Sequence, residues 1–226
     1  MLKLISSMAT RQVLAELAAA WQQACGVEVS IESVGGVDAA KRVQAGEAFD
    51  GVVLASDAID KLVAGGQVLA GSRVDLVRSS VAVAVKAGAA RPDISTEAAL
   101  RSAIAAAPTI GYSTGPSGTA LVKLFERWGM AEALKAKIVQ APPGVPVGTL
   151  VARGEVALGF QQLSELMHLE GIAVVGTMPE AVSITTIFSA GSCAVSSQGE
   201  NLGSLIAFMA SPEAAAVKQR HGMDPA

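Results

Sequence analysis

The sequence predicts an α/β protein of two Rossmann-like lobes joined by two hinge strands, and three observations lead there. Short apolar or β-branched runs alternate with helical patterns along the whole chain. Two longer β-rich runs, "SRVDLVRSSVAVAVKAG" and "AVSITTIFSAG", bracket a self-contained α/β series, as if the chain leaves one lobe, builds another and returns. Composition agrees: 51% of the 226 residues are hydrophobic, 16% are charged and only 4% are aromatic. That balance excludes a disordered chain and favours Ala/Val/Leu/Gly packing of helices on a sheet over an aromatic-rich barrel. The expected division is residues 1–80 with 187–226 in lobe one and 81–186 in lobe two, with the cleft between them.

Each element follows from local pattern. Leu2, Leu4 and Ile5 form a first strand that stops at Ser6 and Ser7. Val13, Leu14, Leu17, Ala18 and Trp21 then recur at helical spacing, with Thr10 as the expected cap and Gly26 as the stop. "VEVSIESV" alternates apolar and polar residues as a half-exposed strand. A glycine turn, a helix and the buried strand Val52–Leu54 follow, then a helix from about Asp57 to Gly65–Gly66. The long run near Ser79 and Ser80 exceeds an ordinary strand and reads as two segments with a change of direction. In the second series Ser95–Ala107 is helical and Thr109–Tyr112 is a strand. "STGPSG" is a loop feeding a helix over Thr119–Trp128. A short strand near Ile138, a helix at Thr149–Ala152, the strands "VALGF" and "IAVVG", and a short helix over Gln162–His168 complete it.

Charge and cysteine content narrow the function classes. A net charge of −3 with no Lys/Arg cluster argues against a nucleic-acid partner. No apolar run reaches the roughly 20 residues of a membrane span, so no membrane insertion is expected. Cys25 and Cys193 lack a partnering pattern and read as two reduced, buried thiols. The N-terminus lacks a basic, apolar, small-residue leader. The compartment is therefore periplasmic if a leader has been removed and cytoplasmic if the chain is complete as given.

Signatures of common catalysis are missing: no GxSxG elbow, no Walker loop, no HExxH and no cysteine cluster. Closely spaced metal ligands are lacking too, so neither metal nor cofactor is expected. What recurs is small polar residues at the carboxyl ends of strands, where open α/β sheets bind ligands. Ser6 and Ser7, Gly35–Gly36, Ser56, "YSTGPSGT" and "GFQQLSEL" all fall there. Each has a plain alternative: Ser6–Ser7 as a turn and cap, "STGPSG" as a flexible loop, Gln161–Gln162 as solvation of a helix start. Arg78 is harder to explain that way, because a cation inside a Val/Ala-rich run wants an anionic partner. Together they outline a donor-rich, metal-free pocket suited to a small anion. Its expected ligand-binding residues are Ser6, Ser7, Gly36, Arg78, Ser79, Ser113, Ser117 and Gln162.

The segments "LISSMATRQVLAELAAAW", "FDGVVLAS", "YSTGPSGTALVKLFERWGM", "VARGEVALGFQQLSEL" and "FMASPEAAAVKQRHGM" occur in an order that resembles one family along nearly the whole chain. It is the molybdate-binding-protein-like branch of the type II periplasmic solute-binding proteins. The resemblance implies a type II periplasmic-binding-protein fold, an oxyanion or carboxylate in the cleft and, for an exported protein, an ABC-transporter membrane partner. Ser6 and Ser7 match the family's first binding serines. Gly35–Gly36–Val37 stands where molybdate binders usually carry another serine, and Gln161–Gln162 where they often have a tyrosine. With hydroxyls lost and Arg78 adding a charge that pairs bidentately with a planar carboxylate, a di- or tricarboxylate fits better than molybdate.

The same branch includes aconitate isomerases, which move a double bond within a tricarboxylate, and "SSMATR" and "GFQQLSEL" are similar to that subgroup. An allylic proton shift needs an acid/base near neutral pKa or a desolvated carboxylate. The sequence leaves that group open among Asp38, Tyr112 and His168. Three functions follow as expectations: binding of a small anion by closure of two lobes, isomerisation of the aconitate type, and leaderless ligand sensing. The last lacks a DNA-binding segment to report to.

Overall fold

The computed structural model describes residues 1–226. In chain order its elements are β1 (Leu2–Ser7), α1 (Arg11–Cys25), β2 (Val29–Val34), α2 (Gly36–Gln44), β3 (Gly51–Ala55), α3 (Ser56–Ala64) and β4 (Val74–Lys86). Next come α4 (Glu97–Ala106), β5 (Ile110–Tyr112), α5 (Pro116–Arg127), α6 (Ala131–Leu134), β6 (Ile138–Gln140), α7 (Val147–Arg153), β7 (Leu158–Gln162), α8 (Leu163–Leu166) and β8 (Ile172–Thr177). The chain closes with β9 (Thr185–Ser192), α9 (Gly199–Ala210), α10 (Ala215–Arg220) and β10 (Met223–Pro225). No helix is long and apolar enough to cross a membrane.

Two compact units result, Met1–Ser79 with Thr186–Ala226, and Ser80–Thr185. The chain passes from the first to the second inside β4 and returns inside β9. The first unit's sheet runs β2-β1-β3-β9-β4-β10. β1 pairs in parallel with β2 and β3, while β9 is antiparallel to β3. Period-two alternation sorts its side chains: Leu2, Leu4, Val53 and Ala55 pack under α1 and α9 with Leu14, Trp21 and Leu205. The intervening Ile5, Val52 and Leu54 join Ala39, Val43, Ile59 and Leu62 from α2 and α3. A strand buried on both faces must read as a continuous apolar run, as "GVVLA" does.

The second unit's sheet runs β8-β4-β7-β5-β6, with β5 parallel to both β6 and β7. Val81, Val83 and Val85 face one core with Leu121, Phe125 and Phe160, while Ala82 and Ala84 face Leu166 on the other side. Gly111 and Gly159 let α7 lie close on the sheet: a Cβ at Gly111 would come 3.0 Å from Val147, and one at Gly159 2.5 Å from Val151.

Several expectations change. The run through Ser79 and Ser80 does not turn; β4 is one strand of 13 residues. It exceeds ordinary length because its neighbours change along it. β10 pairs Val77–Ser79 in the first unit, and β7 and β8 take over from Val81 in the second. Thr10 holds the cap position of α1 but its side chain makes no capping bond; Ser7 caps a single 3-10 turn over Met8–Thr10 that leads into the helix. α5 begins at Pro116 instead of Thr119, because proline's fixed φ suits the first helical position. Cys193 is buried, but Cys25 is exposed at the end of α1; both are free thiols.

Candidate ligand site

In the first unit the carboxyl end of β1 carries Ser6 and Ser7 on opposite faces. Ser6 is fully buried and its Oγ lies 2.8 Å from Ser33 Oγ on β2, at the residue directly opposite in register. Ser7 accepts from the Ala9 N–H at 3.4 Å, a long capping bond, and its carbonyl accepts from Thr10 Oγ1 at 3.0 Å. Gly36 opens α2 beside it, where a Cβ would sit 3.7 Å from Ser7 Oγ. The partly buried Asp38 lies in the first turn of α2. The structure thus brings Ser7, Gly36 and the start of α2 together, and commits the Ser6 hydroxyl to Ser33. Ser33 escaped the sequence reading because its alternating strand marked it only as half-exposed.

Arg78 and Ser79 are consecutive on β4, so their side chains leave opposite faces. Ser79 is fully buried and its hydroxyl has no hydrogen-bond partner. Arg78 is exposed, opposite Asp224 of β10. Being in water, it does not need the buried anionic partner that its apolar neighbours had suggested.

In the second unit the register Tyr112↔Phe160 brings the ends of β5 and β7 to the same level. Tyr112 is half-buried against the main core of this unit. Beyond it Ser113 Oγ and Ser117 Oγ lie 3.2 Å apart, with Ser117 buried in the first turn of α5. No side chain caps α5, so its first N–H groups stand beside these two hydroxyls. A Cβ on Gly118 would fall 1.8 Å from the Ser113 carbonyl oxygen. Only glycine lets the helix start that close.

Gln161 and Gln162 are both buried at the end of β7. Gln161 Oε1 accepts from the Gly148 N–H of α7 at 3.3 Å, and its Nε2 donates to Glu165 Oε1 at 2.9 Å. One buried amide therefore fixes a carboxyl on α8. Burial pushes the Glu165 carboxyl up to about 7, opposed by the hydrogen bond from Gln161, which favours the ionised form. The residue still keeps some surface. Glu165 was not among the expected residues. Its only signal in the sequence was its place four residues after Gln161 in "GFQQLSEL". His168, which had been a candidate, is exposed beyond the end of α8. No group of three or more His, Cys, Asp or Glu side chains is arranged to hold a metal ion.

The comparisons with known proteins agree with this architecture. The family model described as a bacterial extracellular solute-binding protein matches residues 2–224. Aconitate isomerase from a Pseudomonas species is 38% identical over 230 residues, covering 99% of this chain and 87% of that protein. The periplasmic molybdate-binding protein of Azotobacter vinelandii superposes with a TM-score of 0.81 at 21% identity, over 99% of this chain and 98% of that one. The tungstate ABC transporter structure from Geobacter sulfurreducens gives 0.76 at 17% identity, over 97% of each chain. The two structures share the periplasmic-binding-protein fold with this chain and, at such identities, carry nothing finer. The resemblance read from the five sequence segments is borne out.

Proposed function

The chain belongs to the bacterial extracellular solute-binding protein family, and from that premise we propose that it binds a small tricarboxylate and shifts its double bond, as an isomerase of the aconitate type. The observation that carries the reading is the 38% identity to an aconitate isomerase along 99% of the chain. The local chemistry supports it. Ser113, Ser117 and the uncapped start of α5 offer several neutral donors to carboxylate oxygens. At the neighbouring strand end Glu165 titrates near neutral pH, as a proton shift at a carbon next to a carboxylate requires. Within the first unit, Ser7 and the start of α2 at Gly36 are the corresponding neutral donors, and Arg78 is the expected source of a formal charge. Ser6 is assigned a supporting role through Ser33.

Family membership also favours a second reading, in which the same anion is bound and released unchanged. Thermal shift with molybdate, tungstate, sulfate, citrate and both aconitates separates ligand classes. Incubation with trans-aconitate, followed for the cis isomer, separates enzyme from binding protein. The expected result is stabilisation by the tricarboxylates beyond that by the oxyanions, together with turnover. A shift with molybdate alone overturns the carboxylate assignment, and binding of aconitate without turnover leaves the second reading.

A further inference from the structure

Most charged side chains engaged in ion pairs lie on the surface, and the two histidines are poor sources of a proton carrier. His168 is exposed, and His221 packs against Glu16 in the first unit, with Nε2 2.8 Å from Glu16 Oε2. Cys193 is buried, and its thiol is pushed up to about 12 by burial and the nearby Asp50, so it stays protonated and inert. Lys218 is buried in α10, and desolvation lowers its pKa. It lies on no strand end that carries ligand donors. Glu165 differs from all of these in its placement.

We propose that Glu165 is the acid/base that moves the proton in the isomerisation, and that Gln161 is the residue that positions it. This rests on the isomerase reading above. Glu165 follows the end of β7 by one helical turn, at the same end of the sheet where Ser113 follows β5 and Ser117 lies in the first turn of α5. Gln161 holds one carboxylate oxygen at 2.9 Å and is itself anchored by the Gly148 N–H. The other oxygen, Oε2, is left to act. The elements packed against α8 are β7, β8 and, through Ala82 and Ala84, β4, with α7 touching it at Gly148; the charges of β4 are Asp75, Arg78 and, at its far end, Lys86. "LGFQQ" and "IAVVGT" carry no ionisable group, and the sole charge of α7, Arg153, is at its far end. No neighbouring ion fixes Glu165 in one protonation state.

The step balances without a co-reactant. The carboxylate removes a proton from the substrate's methylene carbon, breaking that C–H bond. The electron pair spreads over the three-carbon allyl system and the adjoining carboxylate. The protonated Glu165 then returns the proton to the far carbon of that system, so a new C–H bond forms and the double bond has moved by one position. Glu165 ends as it began, ionised. Ser113, Ser117 and the α5 N–H groups stabilise the charge that builds on the carboxylate in between.

The test uses the intact protein with trans-aconitate as probe. Glu165→Gln keeps the shape and an acceptor for Gln161. It is expected to bind trans-aconitate within about threefold of the wild type while kcat falls at least about 100-fold. Wild-type kcat is expected to rise with pH through a midpoint near 7, because the reacting form is the carboxylate. Gln161→Leu removes the donor that favours ionisation, so its midpoint moves upward and part of the lost rate returns at pH 9. A purely structural role for Gln161 would lower the rate equally at every pH. If the wild type turns over and Glu165→Gln does too at a comparable rate, the assignment of Glu165 is wrong and the isomerase reading survives. If the wild type binds aconitate without turnover, both fall. A wild-type rate that is flat from pH 5.5 to 8.5 also overturns the assignment, whether or not the variants fold.

Discussion

The two units place polar residues at corresponding strand ends but use them differently. In the first unit the hydroxyls are drawn into the fold: Ser6 is bonded to Ser33 and Ser7 caps the turn before α1. Its charges pair on the outside, Arg42 with Glu32 and Glu47, Arg73 with Asp60 and Asp75, and Arg220 with Glu16, whose other oxygen meets His221. Exposed pairs of this kind are screened by water and contribute little. The second unit has a single loose surface pair, Arg153 with Glu155 at 3.9 Å. Its strand-end carboxyl is given an amide partner and no cation. A carboxyl paired with arginine is held ionised, whereas one that is only desolvated titrates near neutrality. One architecture thus ties its strand-end hydroxyls into structural hydrogen bonds in one unit and leaves a desolvated carboxyl at a strand end in the other.

The contrast is broken most severely at glycine. Gly118→Ala would drive a methyl into the Ser113 carbonyl, and a loss of about 3 kcal/mol or more is expected in denaturant unfolding. Gly36→Ala meets nothing closer than 3.7 Å and should fold almost normally while shielding the Ser7 hydroxyl from ligand. If the two variants lost equal stability, the close approach of α5 to Ser113 would not be special to the second unit.

Next in size is the pH dependence of stability. Folded Glu165 titrates near 7 against an ordinary 4.5, so the folded chain holds an extra proton between those values. The wild type therefore loses stability from this group as pH rises from about 4.5 to 7, and the deficit persists above. Glu165→Gln escapes that loss and should gain on the order of 3 kcal/mol relative to wild type at pH 8, and nothing at pH 4. Chemical unfolding of both proteins at the two pH values measures it. An equal difference at both would mean that burial does not perturb this carboxyl.

Arg78→Ala tests whether the first unit supplies a charge as well as hydroxyls. Tricarboxylate affinity should drop about tenfold or more by calorimetry, with stability unchanged, since the side chain is exposed and unpaired. Unchanged affinity would remove Arg78 from the site. The smallest effects compare two buried serines. Ser6→Ala strands Ser33 and should cost about 1 kcal/mol, while Ser79→Ala deletes a hydroxyl without a partner and should cost nothing or stabilise.

Much of this was legible in one dimension. The strand–helix rhythm, the two long runs that became β4 and β9, and the polar residues at strand ends all follow from local periodicity. Errors arose where the cause was non-local. β4 looked too long because its partner β10 lay more than a hundred residues away in sequence. Arg78 looked buried because its sequence neighbours are apolar, although strand alternation turns it outward. Thr10 stands at the cap position of α1 without a capping bond because a 3-10 turn capped by Ser7 precedes the helix, and that geometry has no clear signature in "SSMATR".

By itself, then, the sequence determined the α/β class, the order of elements, the family, and which residue types stand at the ends of the strands. These depend on spacings of two, three and four residues along the chain, and on motifs read in order. Tertiary structure alone decided that Ser6 belongs to Ser33, that Ser79 is buried without a partner, and that Glu165 is desolvated and held by Gln161 and Gly148. Hydrogen-bond pairing across strands and the removal of water from a carboxyl are set by atoms far away in sequence. Asp38, Tyr112 and His168 drew attention as residue types, whereas the protonation chemistry of Glu165 comes from its surroundings.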